Sequence, residues 1–170
     1  MDESLQPAVA ALKERFGAEE YLIRNDVNLI LSPERVVAAC QMLRDEFGFN
    51  MLVEETAIDF WPQEEPRFRV VYGLRTVGTG RLIGLFVHLD GNTPSVPTLE
   101  GVFPNANWFE RELWDMFGIH IEGHSDLRRI LMPHEWQGHP LRKDYPLGYE
   151  EVQFSFNYEE IDLRKPYAKE

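Results

Sequence analysis

Four of the five histidines fall in one stretch, with His120 and His124 four residues apart and His134 and His139 five apart. Imidazoles repeated at that spacing on one helix face can hold a zinc ion, so a metal-dependent hydrolase built on residues 120–139 is the sharpest enzymatic reading. Its weakness is local. Gly118 and Gly123 flank and interrupt the first pair, and Pro133 and Pro140 bracket the second, so neither pair is expected on a continuous helix. Hydrogen-bonded or surface histidines are the plainer expectation. Glu110, Glu112 and Asp115 form a second candidate set, because neighbouring carboxylates can split their pKa values and share acid and base work. Two of them already have structural explanations in the sequence: Glu110 completes a capping box with Asn107, and Asp115 stands four residues from Arg111 as an ion-pair partner. No nucleophile elbow, Walker A loop or dinucleotide fingerprint occurs, and Gly78 and Gly80 fall in a hairpin turn rather than between a strand and a helix.

Composition narrows the remaining classes. Seventeen basic residues against 29 acidic ones give a net charge of -12, which disfavours nucleic acid and anionic lipid as direct partners. Cys40 is the single cysteine, too few for an internal disulfide, an all-cysteine zinc site or a cluster held by four thiolates of this chain. The start, MDESLQPAVAALKERF, has acids before its apolar residues and lacks the basic start and cleavage site of a signal peptide, and no apolar run has the length of a membrane span. A cytoplasmic chain is expected.

The periodicity supplies the framework. Leu5, Val9, Leu12 and Phe16 mark a first helix capped by Ser4 and stopped by Gly17. Ser32-Pro33-Glu34 opens a second, whose stripe of Val36, Cys40, Leu43 and Phe47 ends at Gly48 and buries Cys40 as a small core residue. Strands are expected at 21–24, 27–31, 49–60, 67–75 and 82–89. Phe68, Val70, Tyr72 and Leu74 alternate onto one face, and Gly78-Thr79-Gly80 closes a hairpin. This order predicts an α+β fold, two helices packed on a mostly antiparallel sheet, followed by a short helix and a long irregular C-terminal tail. The divisions expected are a globular domain over 1–103, a helix and docking segment over 104–147, and an extended tail over 148–170. The short helix carries Trp108, Phe109, Leu113, Trp114, Met116 and Phe117 around most of its circumference, so burial by its own domain on one side and by another chain on the other is expected.

Residues 107–147, NWFERELWDMFGIHIEGHSDLRRILMPHEWQGHPLRKDYPL, closely resemble the signature of the 30-kDa subunit family, which supplies the C subunit of the bacterial NADH:quinone oxidoreductase known as complex I. The matching residues are Glu110, Arg111 and Glu112, then Asp115 and Phe117, Gly123 and His124, Leu127 to Leu131, and Pro140 to Leu147. Upstream, SPER at 32–35, Asp59 and PRFRVVY at 66–72 extend the likeness over most of the chain. Ser125 and Trp114 depart from the family's usual proline and tyrosine, and a serine can still cap the turn that follows.

The resemblance implies a protein that itself binds no flavin, nucleotide or cluster, with FMN and iron-sulfur clusters held elsewhere in the complex. It would sit in the peripheral arm beside the D subunit, near the B and I subunits, on the cytoplasmic side of the membrane. It leaves open whether the complex takes electrons from NADH or another donor. The residues it assigns to docking and to the signature are Glu110, Arg111, Glu112, Trp114, Asp115, Phe117, His124, Arg128, Arg129, Arg142, Lys143, Asp144 and Tyr145. Between His124 and Tyr145, Arg128, Arg129, Arg142 and Lys143 outnumber Asp126, Glu135 and Asp144, a basic island in an acidic chain. These basic residues are expected to meet acids of a neighbouring subunit, so that replacing Arg128 and Arg142 together should leave the melting of the free chain nearly unchanged.

Overall fold

The computed structural model describes residues 3–23 and 26–146. Arg24, Asn25, Leu147 and the tail expected over 148–170 lie outside the described residues. Three α-helices, α1 (Gln6–Phe16), α2 (Val36–Phe47) and α3 (Ala106–Phe117), accompany a five-stranded sheet. The strands are β1 (Glu19–Ile23), β2 (Asp26–Leu31), β3 (Met51–Asp59), β4 (Phe68–Arg75) and β5 (Leu82–Leu89), in the order β1-β2-β5-β4-β3. All pairs are antiparallel except β2 with β5. That is the α+β arrangement expected from the sequence.

The register shows why this face is buried. Phe68, Val70, Tyr72 and Leu74 stand opposite Leu89, Val87, Leu85 and Ile83, so eight apolar side chains line one face of the hairpin. Leu29 and Leu31 continue it through their pairing with Leu85 and Val87. Val9 and Leu12 of α1 and Val36, Cys40 and Leu43 of α2 pack into the same cluster. Hydrophobic burial of this kind, about 1.5 to 3 kcal/mol for each large side chain, is what holds the sandwich. On the other face Arg69 lies 5.0 Å from the ring centres of Tyr21, Phe60 and Phe86, a cationic plug over an otherwise open surface.

Helix starts differ from expectation. Ser4 falls inside a 3-10 turn, Glu3–Leu5, and α1 begins at Gln6 after Leu5, which offers no side-chain cap; Ser32 precedes a 3-10 turn over Pro33–Arg35, and its side chain accepts no capping bond from that turn. Prolines at the first helical positions explain both, since they preset the turn without needing an amide partner. Beyond β5 the chain forms β6 (Ser95–Pro97), then α3 against the edge strand β3, then β7 (His120–Glu122), which pairs with β6 in parallel. Asn105 fixes the approach of α3 by donating Nδ2 to the Leu52 carbonyl at 2.8 Å.

Candidate functional site

The signature segment is organised around buried carboxylates. Asp115, fully buried on α3, accepts the backbone N–H groups of Ile130, Leu131 and Met132 at 2.9 to 3.0 Å on one oxygen and the Arg129 guanidinium on the other. Burial works to raise its pKa, but the Met132 amide, Arg129 and the amides of Leu131 and Ile130 outweigh it and hold the carboxyl below the ordinary range. A chain with no helix or strand of its own is thereby pinned to α3.

This overturns two local expectations. Arg111 does not pair with Asp115; it donates to the carbonyls of Arg128 and Arg129 at 3.0 Å and lies over the Trp108 ring. Nor do Asn107 and Glu110 form a capping box, because α3 starts two residues earlier, with Asn105 in the cap position, and both side chains reach across to other segments. Asn107 donates to Glu100, while Glu110 accepts from the Thr98 hydroxyl and the Leu99 amide. Both rules are short-range, and more distant donors win here.

His124 is buried between Glu100 and Glu110, and one ligand atom from each of the three residues lies within 4.8 Å of the others. The donor set still does not suit a metal. The Nδ1 atom of His124 accepts the Asp126 amide at 3.0 Å, which leaves the ring proton on Nε2, the atom facing the carboxylates and the Asn107 carbonyl. Every oxygen of the two carboxylates already accepts a hydrogen bond, from Asn107 and Ser125 on Glu100 and from Thr98 and Leu99 on Glu110. The remaining histidines do not converge: His120 and His134 are exposed, and His139 turns its Nδ1 to the Asp115 carbonyl at 3.0 Å. Burial, only partly offset by that bond, lowers the pKa of His139. The hydrolase reading therefore loses its ligand set.

A second carboxylate anchor lies at the end of β3. Asp59 accepts from Nε and Nη2 of Arg67 at 3.2 Å, from the Trp61 amide and, from far along the chain, from the Lys143 amide at 2.8 Å. Arg67 also pairs with Asp144 at 2.7 Å. Arg142 donates to the carbonyls of Phe117 and Gly118 and lies 5.4 Å from the Phe68 ring centre. Arg129 has further carbonyl partners in Trp136 and Gly138 and sits over Trp114. Gly118 makes this closure sterically feasible: its φ is 69°, and a Cβ there would stand 2.5 Å from the His139 ring and 2.9 Å from Arg142. Tyr145 donates its amide to Arg142 and lays its ring against Gly138.

The basic island is thus divided. Arg129 and Arg142 are committed within the chain, and for Arg142 this runs against the expectation that its replacement together with Arg128 would leave the free chain's melting nearly unchanged. Among the described residues the Arg128 side chain pairs only with Asp126 and is 72% exposed, and the Lys143 side chain and half-buried Glu112 make no hydrogen bond or ion pair. Phe117 is buried and Trp114 half-buried, whereas Trp108, Leu131 and Leu141 are exposed.

Residues 29–151 match the family described as respiratory-chain NADH dehydrogenase, 30 Kd subunit. The chain is 49% identical over 156 residues to the NADH-quinone oxidoreductase C subunit of Roseiflexus sp. (strain RS-1), covering 91% of this chain and 88% of that one. The chain belongs to this family. The C subunit from Herpetosiphon aurantiacus is 40% identical, with 95% of this chain and 98% of that one covered. Among solved structures, a trypsin-resistant fragment (1-134) of Nqo5 shares the fold at a TM-score of 0.65 and 28% identity, covering 73% of this chain and 99% of the fragment. A chain of an archaeal respiratory membrane complex, the membrane-bound sulfane sulfur reductase, has the same TM-score over 84% of this chain at 22% identity, a likeness of fold. Among the described residues no helix is long and apolar enough to cross a membrane.

Sequence reasoning missed Glu100, Thr98 and Arg67 as partners. Nothing near them in sequence signals the role, since their contacts are set by how α3 and its sequel fold back.

Proposed function

We propose that this chain is a docking and assembly subunit of an NADH:quinone oxidoreductase of the complex I type, holding no redox group itself. In this reading it sits in the peripheral arm beside the D subunit, with the B and I subunits near it, on the cytoplasmic side of the membrane. It supports electron transfer from NADH to quinone, coupled to proton translocation, by contributing surface and rigidity, while FMN and iron-sulfur clusters belong to other members of the complex. The observation that carries the reading is the signature segment: α3 and, beyond β7, a stretch without regular structure held by Asp115 and Asp59, which together present Trp108, Arg128, Leu131, Leu141 and Lys143 outward. Rigid presentation of an exposed tryptophan, apolar side chains and cations suits a protein partner, because little ordering entropy remains to be lost on binding. The one cysteine, on the buried face of α2 with its thiol pKa pushed up by burial, supports the view that this chain does not ligate a cluster.

The test replaces what the fold does not use. In Arg128→Glu with Lys143→Glu, the free chain should melt within about 0.5 kcal/mol of the parent, as surface changes do. The complex purified from membranes should lack the chain, and NADH-linked quinone reduction in those membranes should fall with it. Normal incorporation of this variant and of Trp108→Ala would overturn the reading.

A further inference from the structure

Among the described residues, Glu55 is the one acid on the covered face of the sheet that has no donor. A register shift in β3 between Leu52 and Glu54 turns it inward, where it is 3% exposed and neither carboxyl oxygen has a hydrogen-bond partner. Tyr72 stands directly opposite on β4, its hydroxyl also buried and unpartnered. The titratable groups that bear on Glu55 are acids or weak acids from each neighbouring element: Tyr72 from β4, Cys40 from α2 and Glu110 from α3. A carboxylate taken from water into such surroundings, with no cation and no N–H to receive it, is less stable than the neutral acid. Glu110, by contrast, accepts a donor on each oxygen, the Thr98 hydroxyl and the Leu99 amide. Of the two facing acids, Glu55 is therefore the one suited to keep a proton.

We propose that Glu55 is a neutral acid in the folded chain at neutral pH, and that its ionisation loosens the seat of α3 on β3, making this seam a latch that opens on the alkaline side. The mechanism is a charge placed where, among the described residues, no donor is hydrogen-bonded to receive it, the Tyr72 hydroxyl opposite included. On ionisation Glu55 loses its proton to solvent and meets the Glu110 carboxyl across the seam. Relief then requires water to enter or Glu110 to withdraw, and Glu110 moves only with α3. Burial, followed by the charge of Glu110, raises the pKa of Glu55 well above its usual value, in line with this geometry. The sign follows: a folded-state pKa above the unfolded one gives a stabilising contribution present in full below the ordinary glutamate value and lost as pH rises through the folded value.

The experiment titrates the free full-length chain, labelled at its glutamate carboxyl carbons, from about pH 5 to about pH 9, with the Glu55 signal assigned by its loss in Glu55→Gln. Hydrogen exchange in α3, corrected for the intrinsic effect of pH, is followed in parallel. The expected result is a Glu55 signal still in its protonated position at neutral pH and an opening rate of α3 that rises at least tenfold as that signal titrates, while Glu55→Gln stays flat. If Glu55→Gln does not fold, Glu55→Met, which adds no polar atom to the core, takes its place as reference. A Glu55 carboxyl already ionised at about pH 6, or equal pH dependence of α3 opening in parent and reference, overturns the proposal. Because only the free chain is measured, this outcome is separate from whether the chain docks as proposed above.

Discussion

In the sandwich the side chains that hold the chain are apolar and their partners lie on adjacent strands and helices: Val70 against Val87, Tyr72 against Leu85, with Leu12 and Leu43 laid over them. Between α3 and Pro146 the holding groups are carboxylates and arginines, and what they hold is mostly backbone. The first kind of cohesion is spread over many contacts, so losing one thins it. The second is concentrated. One carboxylate, Asp115, satisfies three amides and a guanidinium at once, and its removal would leave all four buried or half-buried donors wanting.

The contrast breaks hardest at that point. Asp115→Ala should lower the opening free energy of residues 128–142 by about 3 to 5 kcal/mol, because it strands the Arg129 charge as well as the amides. Hydrogen exchange should show this loss confined to the signature segment, with β4 and β5 still protected. Leu85→Ala should cost a similar or smaller amount, about 2 to 5 kcal/mol, but lower protection across the whole sandwich. Equal loss everywhere in both variants would dissolve the distinction between the two regions.

Acid separates them more gently. Asp115, Asp59 and Glu100 all have folded-state pKa values below their ordinary 3.8, 3.8 and 4.5, each kept there by donated hydrogen bonds against the opposing effect of burial. Their stabilising contribution is complete above those ordinary values and is lost as pH falls through the lowered folded ones. On acidification the signature segment should therefore open before the sandwich, read as loss of Trp114 and Trp136 environment ahead of the main unfolding transition. Coincident transitions would mean that the carboxylates do not set the order.

The smallest effect sharpens the steric side of the same comparison. Gly118→Ala places a side chain at φ 69° and against His139, and should cost the segment about 1 to 2 kcal/mol. At Gly101, where a Cβ would meet nothing within 4 Å, the same change should be near neutral in a melting experiment.

This division also governs what could be read from residues alone. Leu5, Val9 and Leu12, the stripe through Cys40, and the alternation from Phe68 to Leu74 all announce themselves because apolar burial repeats with the period of the element. Asp115 does not, because its partners lie 14 to 17 residues onward in a stretch with no period. The expected Arg111 pair and the Asn107 capping box failed for that reason: each rule sees four residues, and the deciding donors stand outside that window. Glu55 was hidden differently. Counting alternately from Leu52 puts Glu54 inside and Glu55 out, and only the register shift reverses them. The family likeness marked the signature as a run of residues but could not apportion them between holding the fold and facing outward. Arg129 and Arg142 serve the first purpose, while Arg128 and Lys143 remain exposed.

The Asp59 to Lys143 contact spans 84 positions, and that separation orders events in time. A chain made from its N-terminus can complete β3, β4 and β5 and their helices while Asp59 still lacks its last donor. Synthesis must run to Lys143 before the amide that seals the edge of the sheet exists. The clasp on the signature segment can thus form only after every strand of the sandwich has been made, and closing that large loop costs chain entropy.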